Sequence, residues 1–340
     1  MSPIPTEKIS SMSSLYLKPS PILLQEGDII NGQLTVLESV NMGTFEHVWK
    51  VESRSSKCVY AMKVPLYNGA NRGPSKAIEL SSAMRNSRSL DIRFIALALT
   101  SIVVNERLSV VYNLYGMSLR DLLKEKHMLP LPVIHEMHHI HTDIKPGNIV
   151  LASEDSVVVS NLASNGLFAH NTLLKSPHIK IVDLDDSRLF QPKLLQAIGT
   201  RAYRAPEVHG GLGWSYGVDM FAAGCTIYEL YTRGRLFAHV DDVASVLANM
   251  EKRLGPIPQD LAAKLFKINP SLFWKGADLV LDTLKIDNVT LTSDVIKTQT
   301  VHYPDLADLI KQSLSLDPIK RISSADACCH RYFRVFTPAT

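Results

Sequence analysis

The chain has 340 residues, with 36 Lys and Arg against 33 Asp and Glu and a formal charge of +3 with histidine neutral. Apolar residues make up 46% and charged residues 20%, a globular balance that excludes disorder as the main state. So small a charge also excludes nucleic acid or an anionic membrane as the default partner. At roughly 100–200 residues per domain, the length allows one large domain or two moderate ones.

Residues 1–26 read as a flexible leader, with Pro3, Pro5, Pro19 and a Ser-rich run, and the folded part starts near Gly27. From there to Gly116 the pattern favours strands. Residues 34–40, 47–51 and 58–64 are rich in Val and Trp and are separated by polar or glycine-containing turns. One helix interrupts them over residues 75–87, announced by Gly73-Pro74. Two apolar runs, residues 94–104 and 108–114, flank a charged turn and suit a hairpin. Past Gly116 helical spacing takes over, at residues 119–126, 218–232, 241–254, 303–314 and 323–330. Residues 152–176 are Ser/Asn-rich with no clear period and read as a surface insertion. A β-rich lobe at 27–116 and a larger helical lobe at 117–335 make an α+β fold with a cleft between them.

Cys58, Cys225, Cys328 and Cys329 form no C-x-x-C pair and no even spacing, so neither a disulfide framework nor a cysteine-based zinc site is indicated. A reducing compartment fits that pattern. The longest apolar run, 94–104, falls far short of the ~20 residues that cross a bilayer. The first residues lack a secretory pattern, so the protein is expected to be soluble and intracellular, cytoplasmic or nuclear.

Four short segments carry chemistry. His141-Thr-Asp-Ile-Lys-Pro-Gly-Asn148 sets Asp143, Lys145 and Asn148 in a loop that Pro146-Gly147 keeps from becoming a helix. Residues 180–185 are an apolar strand ending in Asp183, and a carboxylate beside an Asn oxygen makes the hard-oxygen environment Mg²⁺ prefers. Lys63 sits on an apolar strand, where an ammonium is costly unless it meets a carboxylate or a phosphate. Ala205-Pro-Glu207 follows further on.

In these residues, and in Asp219-Met-Phe-Ala-Ala-Gly224 and Asp317-Pro-Ile-Lys-Arg321, the chain resembles the eukaryotic protein kinases. His-Thr-Asp-Ile-Lys-Pro together with residues 199–207 is most similar to the SR-protein kinases of the CMGC group. The resemblance implies a two-lobed kinase fold, with ATP and Mg²⁺ as cofactors and transfer of the γ-phosphoryl group to Ser or Thr of a protein substrate, Arg/Ser-rich in the SR-protein-kinase case. It implies Asp143 as the acceptor of the hydroxyl proton, Lys145 as a charge partner of the moving phosphoryl, and Asn148 and Asp183 as metal ligands. Lys63 would bind phosphates while paired with Glu79. Asn41 and Gly43 would cover the phosphates, and Val48, Ala61, Asn113 and Tyr115 would line the adenine slot. Glu207 and Arg321 would form a buried structural ion pair.

The chain departs from the family pattern in three places, and one further stretch matches an unrelated motif. The phosphate-covering turn, Asn41-Met-Gly-Thr-Phe-Glu46, keeps only Gly43 of three usual glycines, and Glu46 would add negative charge near an anionic ligand. Asp185 stands where glycine is usual, either restricting the backbone or supplying a further carboxylate. Between Pro132 and the loop only residues 133–139 remain for the central helix of the large lobe, about 10 Å at 1.5 Å per residue. That helix is therefore expected to be shortened, and a catalytically weak kinase-like binding protein is the second reading. Finally, His135-Glu-Met-His-His139 matches the H-E-x-x-H zinc-protease pattern, which needs a helix of two turns and a third ligand. Pro132 precedes it, so a polar remnant of the helix is the plainer reading and a zinc metalloprotease the third.

Overall fold

A computed structural model of the chain describes residues 24–43, 46–66, 74–86, 95–119, 139–162, 168–174, 178–191, 194–237, 242–272 and 304–334. Its first part is a six-stranded antiparallel sheet, β1 (Ile29–Ile30), β2 (Leu34–Met42), β3 (Glu46–Ser53), β4 (Val59–Pro65), β5 (Ala98–Val104) and β6 (Arg107–Asn113), in the order β1-β2-β3-β4-β6-β5. Period-two alternation decides the faces. Trp49 and Val51 of β3, Met62 and Val64 of β4, and Val111 of β6 turn inward to one core with Val36. The intervening residues of β4, Ala61 and Lys63, look the other way and are only partly buried. Lys63 pairs directly with Val48 on one side and Val110 on the other, so Val48 shares its face. The predicted hairpin forms between β5 and β6. Asn105 and Glu106, at φ 46° and 64°, close it with the two left-handed residues that a type I′ turn requires.

Helix α1 (Pro74–Asn86) opens at the proline the sequence marked. It buries Ala77, Leu80, Ser81 and Met84, the i, i+3, i+4, i+7 stripe of one helical face. The Ser81 hydroxyl accepts the Ala98 N–H at 2.9 Å, tying the helix to β5. From the same helix Lys76 Nζ donates to the Ser187 carbonyl.

The second part is built on short ribbons and helices. β7 (His139–Ile140) pairs with β12 (Arg188–Leu189), β8 (Ile149–Leu151) with β11 (Ile179–Ile181), and β9 (Ser156–Leu162) with β10 (Phe168–Leu174), all antiparallel. The helices are α2 (Pro206–His209), α3 (Gly217–Thr232), α4 (Val243–Leu254), α5 (Gln259–Ile268), α6 (Pro304–Ser313), α7 (Ser324–Cys328) and α8 (Arg331–Arg334). Val218, Phe221, Ala222, Cys225 and Tyr228 of α3 are all buried, as expected for a helix apolar on most of its surface. Gly224 lets α6 approach, since a Cβ there would meet Ser313 and Leu314 side chains at 2.9–3.0 Å. Helix α4 starts where Asp242 accepts the Ser245 N–H at 2.8 Å, an N-cap worth about 1 kcal/mol.

The insertion differs from its sequence reading. Residues 156–162 and 168–174 form a regular antiparallel ribbon, although the stretch has no apolar period. Three consecutive valines at 157–159 favour extended backbone whatever the period, and cross-strand backbone pairing keeps the ribbon regular. The leader up to residue 23, the greater part of the predicted helix at 119–126, and the shortened central helix lie outside the described residues. Leu119 is described, and it is fully buried.

Candidate active site

The loop after β7 is braced from beneath. The Asp219 carboxylate, at the first turn of α3, accepts the N–H groups of His141 and Thr142 at 2.7 and 2.8 Å. Thr142 is held at φ 74°, an unusual conformation for a β-branched residue and one that costs about 1–3 kcal/mol. Its hydroxyl donates to the Asp186 carbonyl at 3.1 Å, and its own carbonyl lies so near Gly199 that a Cβ there would be 2.6 Å away. Gly199 is itself at φ 71°, so glycine is required on both counts. The His141 ring, fully buried, accepts the Asp143 N–H on Nδ1 at 3.2 Å. Nε2 therefore carries the proton and donates to the Val182 carbonyl at 2.9 Å, which makes His141 a brace.

Asp143 emerges from this support with both carboxylate oxygens engaged. Oδ1 accepts the backbone N–H of Thr200 at 2.8 Å and its hydroxyl at 2.7 Å. Oδ2 meets Lys145 Nζ and accepts from Asn148 Nδ2 at 3.1 Å. Lys145 also donates to the Thr200 hydroxyl oxygen, at 2.9 Å. Asn148 and Asp183 meet because of strand register. Ile149 is the first residue of β8 and pairs with Ile181, the last of β11, so the residues just beyond the ribbon lie side by side. The Val182 N–H donates to the Asn148 carbonyl at 2.9 Å, and Asn148 Nδ2 donates to Asp183 Oδ2 at 3.2 Å. Asp183 takes φ 73°, a left-handed conformation that aspartate tolerates better than most residues.

The Lys63 ammonium reaches this cluster from β4. It lies 2.7 Å from Asp183 Oδ1, 2.5 Å from Asp185 Oδ2 and 2.6 Å from Glu46 Oε1. The expected pairing with Glu79 is not formed. Glu79 is exposed on α1, while Glu46 and Asp185 take its place. Sequence spacing put Glu79 on the right helix, but only the rotation of that helix decides which residue faces the cleft. Burial disfavours the Lys63 ammonium, yet the charges of Asp183, Asp185 and Glu46 outweigh that and hold its pKa above the usual lysine range. Burial likewise opposes ionisation of Asp183, but the Lys63 charge and hydrogen bond lower it to about 2. At Glu46 burial prevails over Lys63, and the neighbouring carboxylates add to it, so its pKa rises to about 7.

Val48 and Ala61 are partly buried beside Lys63, and Asn113 is exposed at the end of β6. Tyr115 lies beyond it with Lys180 Nζ 5.7 Å from its ring centroid. Asn41, at the end of β2, is exposed, and the Gly43 N–H donates to the Glu46 carbonyl at 2.8 Å. Glu207 and Arg321 form the buried ion pair, with Oε1 and Oε2 accepting from the guanidinium at 2.7 and 3.0 Å. His135 lies outside the described residues. His139 sits in a two-residue strand opposite Leu189, which removes the helical face that the zinc-protease pattern needs.

Sequence reasoning missed Thr200 and Asp219. Both lie in the motifs that carried the resemblance, but neither spacing nor residue type reveals that Thr200 clamps Asp143 from 57 positions away or that Asp219 holds the loop amides.

A profile for the protein kinase domain matches residues 34–333, and the chain belongs to that family. Among its relatives, the serine/threonine-protein kinase AFC2 of Arabidopsis thaliana is 26% identical, over 93% of this chain and 80% of that protein. The dual specificity protein kinase CLK2 of Homo sapiens is 26% identical, over 92% of this chain and 66% of that protein. The chain also superposes on a crystal structure of a kinase domain with a TM-score of 0.76, covering 92% of this chain and 98% of that one at 23% identity. The relatives are SR-protein-kinase-like members of the CMGC group, and the fold is the two-lobed kinase fold. Among the described residues no helix is long and apolar enough to cross a membrane.

Protein kinases use ATP and Mg²⁺. The donor set here fits a divalent cation. Glu46, Asp183 and Asp185 each offer a carboxylate oxygen, all within 4.8 Å of one another, and Asn148 adjoins them. Hard oxygens are the ligands Mg²⁺ takes.

Proposed function

We propose that the chain is a protein serine/threonine kinase of the SR-protein-kinase type, with a small lobe at 27–116 and a large lobe at 117–335, acting inside the cell on an Arg/Ser-rich protein. The observation that carries this reading is the convergence of Lys63 from β4, Asp143, Lys145 and Asn148 from the loop between β7 and β8, and Asp183 from just after β11. Asp143 accepts the proton of the substrate hydroxyl. Its orientation comes from Thr200 on one oxygen and from Asn148 on the other. Lys145, held between Asp143 and Thr200, places positive charge where negative charge develops. Asn148 and Asp183 would hold Mg²⁺, which when bound supplies charge neutralisation to the nucleotide phosphates. Val48 and Ala61 would contact the adenine, with Asn113 and Tyr115 at its edge. Asn41 and Gly43 would cover the phosphates.

The test is transfer of label from ATP, with Mg²⁺, to an Arg/Ser-rich peptide. Transfer well above an Asp143→Asn control supports the reading, and a rate equal to that control refutes it. A second reading, a kinase-like protein that binds nucleotide and turns it over weakly, is favoured by the three carboxylates around Lys63. A rise in melting temperature with Mg²⁺ and ATP, without transfer to any Ser/Thr peptide, would select it.

A further inference from the structure

Two positions at which the family pattern has glycine carry carboxylates in this chain, Glu46 at the end of the phosphate-covering turn and Asp185 after β11. They come from opposite sides of the cleft and reach the same atom. Glu46 Oε1 and Asp185 Oδ2 lie 2.6 and 2.5 Å from Lys63 Nζ, which Asp183 Oδ1 meets at 2.7 Å. One ammonium therefore faces three carboxyl groups. The cage is most shut off from water at Lys63 and Asp185, whose side chains are 12% and 11% exposed, while Asp183 and Glu46 are 24% and 30% exposed. The second oxygen of Asp185, Oδ1, is buried and has no hydrogen-bond partner among the described residues. A buried acceptor with nothing to accept is costly, and a cation is the group that would satisfy it.

An anion approaching Lys63 meets this surplus of negative charge. A phosphate group has to compete with Glu46 and Asp185 for the ammonium, and like charges within a few ångströms in a poorly hydrated site repel strongly. A divalent cation lodged between carboxylates and phosphates turns the same groups from repulsive to attractive.

We propose that Glu46 and Asp185 make the phosphate subsite selective for the divalent-cation complex of the nucleotide, excluding the metal-free anion. This rests on the kinase reading, because it takes the ligand of Lys63 to be a nucleotide phosphate. The two residues act as specificity determinants, and the reacting hydroxyl is handled elsewhere, at Asp143.

The test is calorimetric titration of the full chain with ADP, once with excess Mg²⁺ and once with EDTA. For the unaltered protein, affinity falls at least a hundredfold on removing the metal. In the double variant Glu46→Gln, Asp185→Asn the metal-free affinity rises at least tenfold, about 1.4 kcal/mol. Affinity for the Mg²⁺ complex does not rise, because two carboxylates that would face the cation are lost, so the ratio of the two affinities falls at least tenfold. Glu46→Gln alone, at a partly exposed site, gives an intermediate ratio and keeps the test open should the double variant not fold. A loss of structure would weaken both titrations together and leave their ratio unchanged, so the ratio separates charge selection from damage. Equal metal dependence in the unaltered protein and in a variant that keeps the circular-dichroism spectrum and melting temperature of the unaltered protein overturns the inference. Failure of the unaltered protein to bind ADP in either form overturns the kinase reading and this inference with it. Binding without phosphoryl transfer overturns only the reading of function, and the metal ratio then still decides the inference.

Discussion

Replacing Arg321 by Met tests how the large lobe is held together. The guanidinium is fully buried and donates to Glu207 Oε1 at 2.7 Å, Glu207 Oε2 at 3.0 Å, the Gly217 carbonyl at 2.9 Å and the Ser315 carbonyl at 3.0 Å. It also packs 5.1 Å from the Phe221 ring centroid. Methionine fills much of the volume but leaves the Glu207 carboxylate buried without a counter-charge. Breaking one side of such a pair costs about 3–5 kcal/mol, a large share of the 5–15 kcal/mol typical of a folded domain. At about 2 °C per kcal/mol for a chain of this size, the melting temperature falls by about 6–10 °C. The double variant Arg321→Met, Glu207→Leu removes both charges and recovers most of that loss, because two apolar groups of similar size carry no desolvation penalty. Urea denaturation of the two single variants and the double forms a mutant cycle. Single losses under about 1 kcal/mol, or a double loss equal to the sum of the singles, would refute the claim that these residues stabilise the lobe as a buried pair.

Thr200→Val keeps the backbone bond to Asp143 but removes the hydroxyl that links Asp143 and Lys145. The turnover number falls about tenfold with little change in KM for peptide and within about 1 °C of the original melting temperature, as read by steady-state phosphorylation and calorimetric scanning. Asp219→Asn replaces an oxygen that accepts a loop N–H with an amide that cannot, and it leaves the strained Thr142 unsupported. Denaturant melts show a loss of about 2–4 kcal/mol. His209 supplies a pH dependence. Burial, with the nearby Arg204 charge, lowers its pKa to about 4 against the bond to the Arg201 carbonyl. Between about pH 6.5 and 4 the unfolded chain binds the proton and the folded one does not, so stability falls as pH drops through that window. The loss is at most about 3 kcal/mol, and melting temperatures measured from pH 7 to 4.5 fall less steeply in His209→Gln.

The small lobe was legible because its strands obey a period of two against a single core, so Met62 and Val64 had to turn inward and Lys63 outward. The β5–β6 hairpin and the start of α1 were legible from turn and capping chemistry, which is local. The ribbon of residues 156–162 and 168–174 was not, because its regularity comes from pairing between two segments and no alternation along either marks it. In the site, Asp143, Lys145 and Asn148 could be placed together from one short loop. The charge at Glu46 was legible, but its target was not.

What the sequence determined by itself is the inventory: a lysine on an inner strand, a loop bearing acid, base and amide groups, and a carboxylate closing a short strand. Local rules suffice for these, since each depends on residues a few positions apart. Only the tertiary structure decided the partnerships. The register of β8 on β11 brings Asn148 to Asp183, the rotation of α1 leaves Glu79 in solvent, and the two sides of the cleft deliver Glu46 and Asp185 to Lys63. The physical reason is that an ionic contact depends on distance in space to within an ångström, and sequence separation does not set that distance once the chain has folded back on itself.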